Sequence, residues 1–136
     1  MIRPIVRDVL FLRLRSEPAT RQDVSVGQDL RDTLNAHRET CAGMAANMIG
    51  VRKRVVIANA GLGDLVLYNP VLLDRRDPYE AEEGCLSLDG VRRATRYREI
   101  ELEYRDAGWN KRRQRFSGWL AQILQHELDH LDGVLI

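Results

Sequence analysis

The chain is short of the residues that mark several classes of protein. It has two cysteines and four prolines in 136 residues, and no apolar run approaches the roughly 20 residues that span a membrane. Met1-Ile2-Arg3-Pro4 does not begin a signal peptide, and two cysteines without such a signal do not indicate a disulfide framework. A net charge of +1 gives no overall attraction to nucleic acid or membrane. We therefore expect one cytoplasmic domain that covers residues 1–136.

What the sequence does contain, near its end, is a His-Glu-x-x-His motif at His126, Glu127 and His130. The surrounding residues lack proline and favour a helix that begins after Ser117 and ends at Gly133. In such a helix the two histidines lie on one face, one turn apart, and can bind one metal ion together. Glu127 lies beside them, where it can take the proton of a water that the ion activates. The motif predicts a metal-dependent hydrolase.

Two rows of residues at helical spacing run through this segment. One row is Trp119, Ile123, His126 and His130, and the other is Leu120, Leu124, Glu127 and Leu131. The pattern places both histidines and the glutamate on the inward side of the helix. An ordinary helix with two core histidines is the alternative, but it leaves a buried carboxylate without a purpose.

A catalytic site of the zinc type needs a third protein ligand and one open position. Asp132 is the sole candidate after His130, and it is too close in sequence to reach the same ion. The ligand must come from upstream, where His37, Cys41, Cys85 and many carboxylates are available. His37 is most simply a rim residue of a helix, and a packing role suffices for Cys41. We favour the Cys85 thiolate, because a thiolate is a strong metal ligand.

The remaining chain alternates between helical and extended patterns. We predict an N-terminal arm or short helix with a loop over 1–24, a helix from about Val26 to about Thr40, strands at 54–58 and 65–68, and a strand pair at about 99–104 and 111–116. Gly61–Asp64 is predicted to be a hairpin turn. We expect Asn69-Pro70 to close the second strand and Asp77-Pro78 to open a loop toward Cys85. The many arginines after residue 91 alternate with glutamates, which favours solvated strand faces over a nucleic-acid surface.

Three segments, in this order and spacing, resemble the motifs of the peptide deformylase family. Gly43-Met44-Ala45-Ala46 with Ile49-Gly50 resembles its glycine-rich first motif, Glu83-Gly84-Cys85-Leu86-Ser87 matches its second, and Gln125-His126-Glu127-Leu128-Asp129-His130 matches its third. The resemblance covers the chain from about Val24 onward. It implies an α+β fold, with antiparallel sheets around a central C-terminal helix that carries the His-Glu-x-x-His motif.

The resemblance also implies a reaction, which is removal of the N-formyl group from the initiator methionine of nascent peptides with release of formate. It implies that Cys85, His126 and His130 bind one divalent ion, Fe²⁺ in the first place, with Zn²⁺, Ni²⁺ or Co²⁺ as substitutes. Glu127 would move the proton, and the backbone N–H of Leu86 would stabilise the carbonyl oxygen.

The same resemblance implies four residues for contact with the substrate: Ala42, Gly43, Met48 and Arg92. Gly43 and its neighbours would pair with the peptide backbone as a strand does. The implied partner is a formylated peptide, with no nucleic acid and no membrane. The chain stops at Ile136 without the C-terminal helix of many members, so ribosome association is left open.

The first motif departs from the family pattern. Its final glutamine, which completes the oxyanion site in active members, is replaced by Met48, and a methionine donates no hydrogen bond. Cys41 replaces the first glycine, and Asp89 stands where a proline usually follows the second motif. Asn47 can substitute for the glutamine only if the backbone turns it inward. The loss of one oxyanion donor typically costs about 10²- to 10³-fold in rate.

Two other functions therefore stay open beside deformylation. A reshaped first motif is compatible with a metallohydrolase that acts on another N-acyl or amide compound. A protein that binds formylated peptides or metal with weakened catalysis is the second alternative, although a pure binder has no need of Glu127.

Overall fold

The computed structural model describes every residue from Met1 to Ile136. The helices are α1 (Val9–Leu12), α2 (Val24–Ala36) and α3 (Gly118–Leu131), and the strands are β1 (Gly43–Ala45), β2 (Val55–Asn59), β3 (Asp64–Cys85), β4 (Leu88–Arg105) and β5 (Lys111–Ser117). Short 3-10 turns lie at Arg21–Asp23 and Ala46–Ile49. The strands form one antiparallel sheet in chain order, and α3 packs against it. The predicted α+β class is confirmed.

Strand β2 lies between two hydrophobic clusters, because both of its faces are covered. Val56 and Ala58 pack in the cluster that includes Leu124 of α3, whereas Val55 and Ile57 pack in the cluster that includes residues of α2. A strand that is buried on both faces appears in sequence as a continuous apolar run, as this segment does. The double burial fixes the position of β1, which pairs with β2, relative to α3.

The predicted ends of the second strand are wrong, because β3 continues through both prolines to Cys85. Asn69 and Asp77, which precede Pro70 and Pro78, adopt positive φ values of 53° and 61° and let the strand bend at these points. β2 pairs only with the first part of β3, up to Tyr68, and the rest of β3 pairs with β4 alone. Proline is tolerated on such a one-sided strand, where no second ladder needs its N–H.

Two helix predictions also need correction. Helix α2 begins two residues earlier than predicted and ends at Ala36, and His37 follows as its C-cap, with its Nδ1 donating to the Thr33 carbonyl at 2.9 Å. Ser117 occupies the N-cap position of α3, but its side chain makes no capping hydrogen bond. Trp119 is 64% exposed and does not share the buried row. No helix is both long and apolar enough to cross a membrane.

Candidate active site

Cys85, His126 and His130 form a group of three metal-ligand side chains. Cys85 is the last residue of β3, and both histidines lie on the inward face of α3. The two Nε2 atoms are 3.1 Å apart, and Cys85 Sγ lies 3.4 Å from His130 Nε2. All three ligand atoms lie within 4.8 Å of one another. One thiolate and two imidazoles are the donor set that a zinc-type or iron-type cation takes in proteins, so the residues fit such an ion.

Glu83 orients the first of these histidines. One of its carboxylate oxygens lies 2.8 Å from His126 Nδ1, so the ring donates from Nδ1, and Nε2 is the nitrogen that faces the ligand group. Arg96 and Gln122 donate to the same carboxylate at 2.7 Å and 2.9 Å. Burial alone raises the pKa of Glu83, but the hydrogen bonds from His126, Arg96 and Gln122 outweigh burial and lower it to about 2. The carboxylate is therefore ionised at neutral pH.

Arg96 ties this network back to the motif helix. Its guanidinium is 4% exposed and donates to Asp129 at 2.7 Å as well as to Glu83. A buried cation between two carboxylates satisfies charges that would be costly alone. The motif predictions omitted this network, although strand periodicity indicates one part of it, since Glu83 and Cys85 lie two residues apart on the same face of β3. Arg96 carries no comparable signal in the sequence.

The two histidines differ strongly in their affinity for a proton. Burial lowers the pKa of His126, but contacts with Cys85 and Glu83 outweigh burial and raise it to about 10. Burial and the neighbouring His126 together lower the pKa of His130 to about 3. At neutral pH the pair of rings therefore carries one proton more than two neutral imidazoles do, and a cation displaces this extra proton when both rings act as ligands.

Glu127 lies at the floor of the cavity as a buried carboxylate. It is 4% exposed, and its Oε1 atom has no hydrogen-bond partner within the protein. Burial is the main cause that raises its pKa to about 7. A carboxyl group with such a pKa can both accept and return a proton near neutral pH, as general acid–base catalysis requires.

Gly43 allows strand β1 to approach this carboxylate closely. A Cβ atom at this position would lie 2.5 Å from Ile123 Cγ2, 2.9 Å from the Ile57 carbonyl oxygen and 3.1 Å from Glu127 Oε2. Only glycine fits at the first two of these distances. The glycine of the first motif is thus a requirement of packing between β1 and α3.

The cavity above these residues has a volume of about 650 Å³. We name its two sides the helix wall, which is the cavity face of α3 from Trp119 to Glu127, and the first-motif wall, which is residues 41–48. Among the residues predicted from sequence, the lining includes Ala42, Gly43, Met48, Cys85, Leu86, His126 and Glu127. The exposed Trp119 lies at this lining, which accounts for its failure to join the core.

Three other residues that the sequence suggested as site residues do not belong to the group of metal-ligand side chains. His37 caps α2 and is not among the metal-ligand side chains. Arg92 does not line the cavity, and its guanidinium donates to the Asp89 carbonyl at 3.0 Å. Cys41 lines the cavity but its thiol donates to the Gly43 carbonyl at 2.9 Å, and burial raises its pKa to about 12. A thiol with this pKa remains protonated, so Cys85 is the better ligand.

Met48 is 1% exposed and presents an apolar side chain to the cavity. Asn47 does not replace the missing glutamine, because its amide points at α3 and it does not line the cavity. The N-terminal arm braces this region from outside. The Val6 N–H donates to the Met48 carbonyl at 2.7 Å, and Arg7 Nη1 donates to the Leu86 carbonyl at 2.8 Å.

Comparison with known proteins agrees with the motifs. The family model described as Polypeptide deformylase matches residues 4–136. A peptide deformylase of Clostridium beijerinckii is 52% identical over 136 residues, which is the whole of both chains. One of Thermotoga maritima is 33% identical over 132 residues, covering 92% of this chain and 78% of the relative.

Solved structures give the same result. A class I type b peptide deformylase from Acinetobacter baumannii has a TM-score of 0.89 and 26% identity, and the match covers 99% of this chain and 97% of that one. The Thermotoga maritima enzyme has a TM-score of 0.87 and 28% identity, with 99% and 94% covered. The chain belongs to the polypeptide deformylase family, whose members are hydrolases that remove the N-formyl group from nascent peptides.

Proposed function

We propose that this cavity removes the formyl group from N-formylmethionyl peptides with the help of one divalent ion. The observation that carries the proposal is the convergence of Cys85, His126 and His130 beside the buried carboxylate of Glu127. Because the proposed substrate is a nascent peptide, we propose that the reaction takes place in the cytoplasm. Fe²⁺ is the proposed ion, and Zn²⁺, Ni²⁺ or Co²⁺ fit the same thiolate and imidazole donors.

The ion, when bound, supplies Lewis acidity toward the formyl carbonyl and lowers the pKa of a water. Glu127 would accept one proton of a water held in the cavity, and the oxygen of that water would then form a bond to the formyl carbon. The C–N bond breaks, and Glu127 returns the proton to the leaving amine. The second proton of the water, carried by the resulting formic acid, also passes to the amine, so the products are formate and an ammonium terminus, and atoms and charge balance.

Backbone groups of the cavity position the peptide in this proposal. Leu86 lines the cavity and its N–H makes none of the loop and turn hydrogen bonds of the protein, which supports the proposal that it donates to the carbonyl oxygen. β1 pairs with β2 only, so Ala42 and Gly43 can add an extended peptide along the other edge. That Arg92 contacts the backbone of the substrate, at the rim of the cavity, stays a prediction.

The test is formate release from a formyl-Met tripeptide by protein loaded anaerobically with Fe²⁺. We expect the unchanged chain to release formate and the Cys85→Ser variant to release none. An acetyl-Met peptide should not be hydrolysed. Absence of formate above the level of free Fe²⁺, with the site fully loaded, would contradict the proposal.

One observation favours a second candidate. Met48 and Cys41 give the first-motif wall an apolar, thiol-bearing surface, which is compatible with a different acyl group. A panel of N-acyl amino acids and peptides separates the two candidates, because a preference for a larger acyl group over formyl would favour another amide hydrolase. Tight binding of formyl peptide without turnover would favour a binding protein instead.

A further inference from the structure

Asn47 connects the first-motif wall to the motif helix. It lies in the 3-10 turn Ala46–Ile49 and is fully buried, with 0% exposure. Its Nδ2 atom donates to the backbone carbonyl oxygen of His130 at 2.8 Å, across 83 residues of sequence. The amide is therefore directed away from the cavity and at the backbone of a metal-ligand residue.

We propose that Asn47 is a positioning residue for the metal centre, which holds His130 in place through its backbone. His130 is the last residue but one of α3, where helices fray because the final carbonyls lack intrahelical donors. A buried side-chain donor at this carbonyl fixes the last turn and with it the ring that faces Cys85 and His126. The inference rests on the proposed metal centre.

Stability alone does not account for this residue. Asn47 Oδ1 is buried and has no hydrogen-bond partner within the protein, and an unpaired buried acceptor is unfavourable. The His130 carbonyl also accepts from the Gly133 N–H at 3.1 Å, so it stays paired when the Asn47 amide is removed. A leucine of similar size at position 47 is therefore expected to leave the fold about as stable as before.

This difference between stability and metal binding gives the test. We compare Co²⁺ affinity, by competition with a chromophoric chelator, and the visible spectrum of the Co²⁺ protein, for the unchanged chain, Asn47→Leu and Thr33→Val. The control removes a partly buried hydrogen bond on α2, from Arg3 N–H to Thr33 Oγ1, and Thr33 neither lines the cavity nor belongs to the ligand group. Asn47→Leu is expected to bind Co²⁺ about 10- to 100-fold more weakly, the usual effect of losing an outer-shell partner. Its metal-free Tm should stay within about 5 °C of the unchanged chain.

Each result decides the proposal. Unchanged Co²⁺ affinity and spectrum in Asn47→Leu would overturn it, as would an equal loss of affinity in Thr33→Val. If Asn47→Leu does not fold, Asn47→Ala is measured in the same way, and failure of both variants to fold without metal would make Asn47 a structural residue. If the unchanged chain binds no Co²⁺, the metal centre itself is refuted, and this result is distinct from the others.

Discussion

The helix wall and the first-motif wall face each other across one cavity but are equipped differently. On the helix wall, His126 is oriented by Glu83, and Glu83 is held by the buried Arg96. The first-motif wall offers the apolar side chain of Met48 and a thiol that already donates to a backbone carbonyl. The side chains that we propose to hold an ion and to move a proton are all present, whereas the first-motif wall offers no side-chain donor for the proposed carbonyl oxygen. Metal affinity and turnover should therefore respond to different substitutions.

The largest effect is expected from the helix wall. Glu127→Gln keeps the size of the side chain but removes its ability to accept a proton, so kcat should fall about 10²- to 10⁴-fold. The metal content should not change, because Glu127 is not a ligand. Formate release from formyl-Met peptide, with metal measured on the same preparation, checks both statements. Near-normal kcat in this variant would show that another group moves the proton.

A substitution on the first-motif wall should raise kcat. Met48→Gln introduces an amide donor at the cavity lining, and a restored oxyanion donor should raise kcat about 10²-fold. Metal affinity should stay the same, since position 48 supplies none of the three proposed ligands. Met48→Leu is the matched control and should give no gain. If kcat of Met48→Gln is equal to or below that of the unchanged chain, the first-motif wall does not limit the rate through a missing oxyanion donor.

Support of the ligands can be tested without turnover. Glu83→Gln removes the negative charge that orients His126 and pairs with Arg96, so Co²⁺ or Zn²⁺ affinity should fall about 10- to 100-fold. Glu80→Gln, on the same strand and exposed, is the control and should bind metal normally. Equal metal affinities in the two variants would show that metal binding does not depend on the contact between Glu83 and His126.

The smallest effect is expected at the N-terminal arm, where Arg7 contacts the turn after Cys85. Arg7→Ala removes the donor to the Leu86 carbonyl, which loosens the turn that carries the proposed Leu86 N–H donor. Because the guanidinium is largely exposed, we expect a loss of only about three- to tenfold in kcat, near 1 kcal/mol. Arg13→Ala, an exposed neighbour in sequence, should leave kcat unchanged. Weaker metal binding in Arg7→Ala, with kcat preserved, would show that this arginine supports the metal ligands and not the proposed Leu86 donor.

Sequence patterns predicted the parts of this molecule that local chemistry determines. The spacing of His126 and His130, the helix around them and the β2–β3 hairpin all follow from periodicity and turn residues, and the structure confirms them. The continuation of β3 past Pro70 and Pro78 did not follow, because whether a proline is tolerated depends on which edge of the strand is paired.

Contacts between residues that are far apart in the chain also could not be predicted from the spacing of residues in the sequence. Arg96 is one of many arginines in an apparently solvated region, and only the fold shows that it lies buried between Glu83 and Asp129. Trp119 continues the apolar row in sequence, yet its side chain is exposed and lines the cavity. In both instances the environment was set by elements distant in the chain.

The position of Cys85 at the end of β3 has a consequence for the order of folding. His130 follows Cys85 by 45 residues, and β4, β5 and α3 must all be in place before the thiol and the second imidazole meet. Closing so long a segment carries an entropic penalty that is met only when the intervening sheet has formed. An ion held by all three side chains therefore reports completed assembly, and its rate of uptake during refolding should follow the slowest step of sheet formation rather than diffusion of the metal.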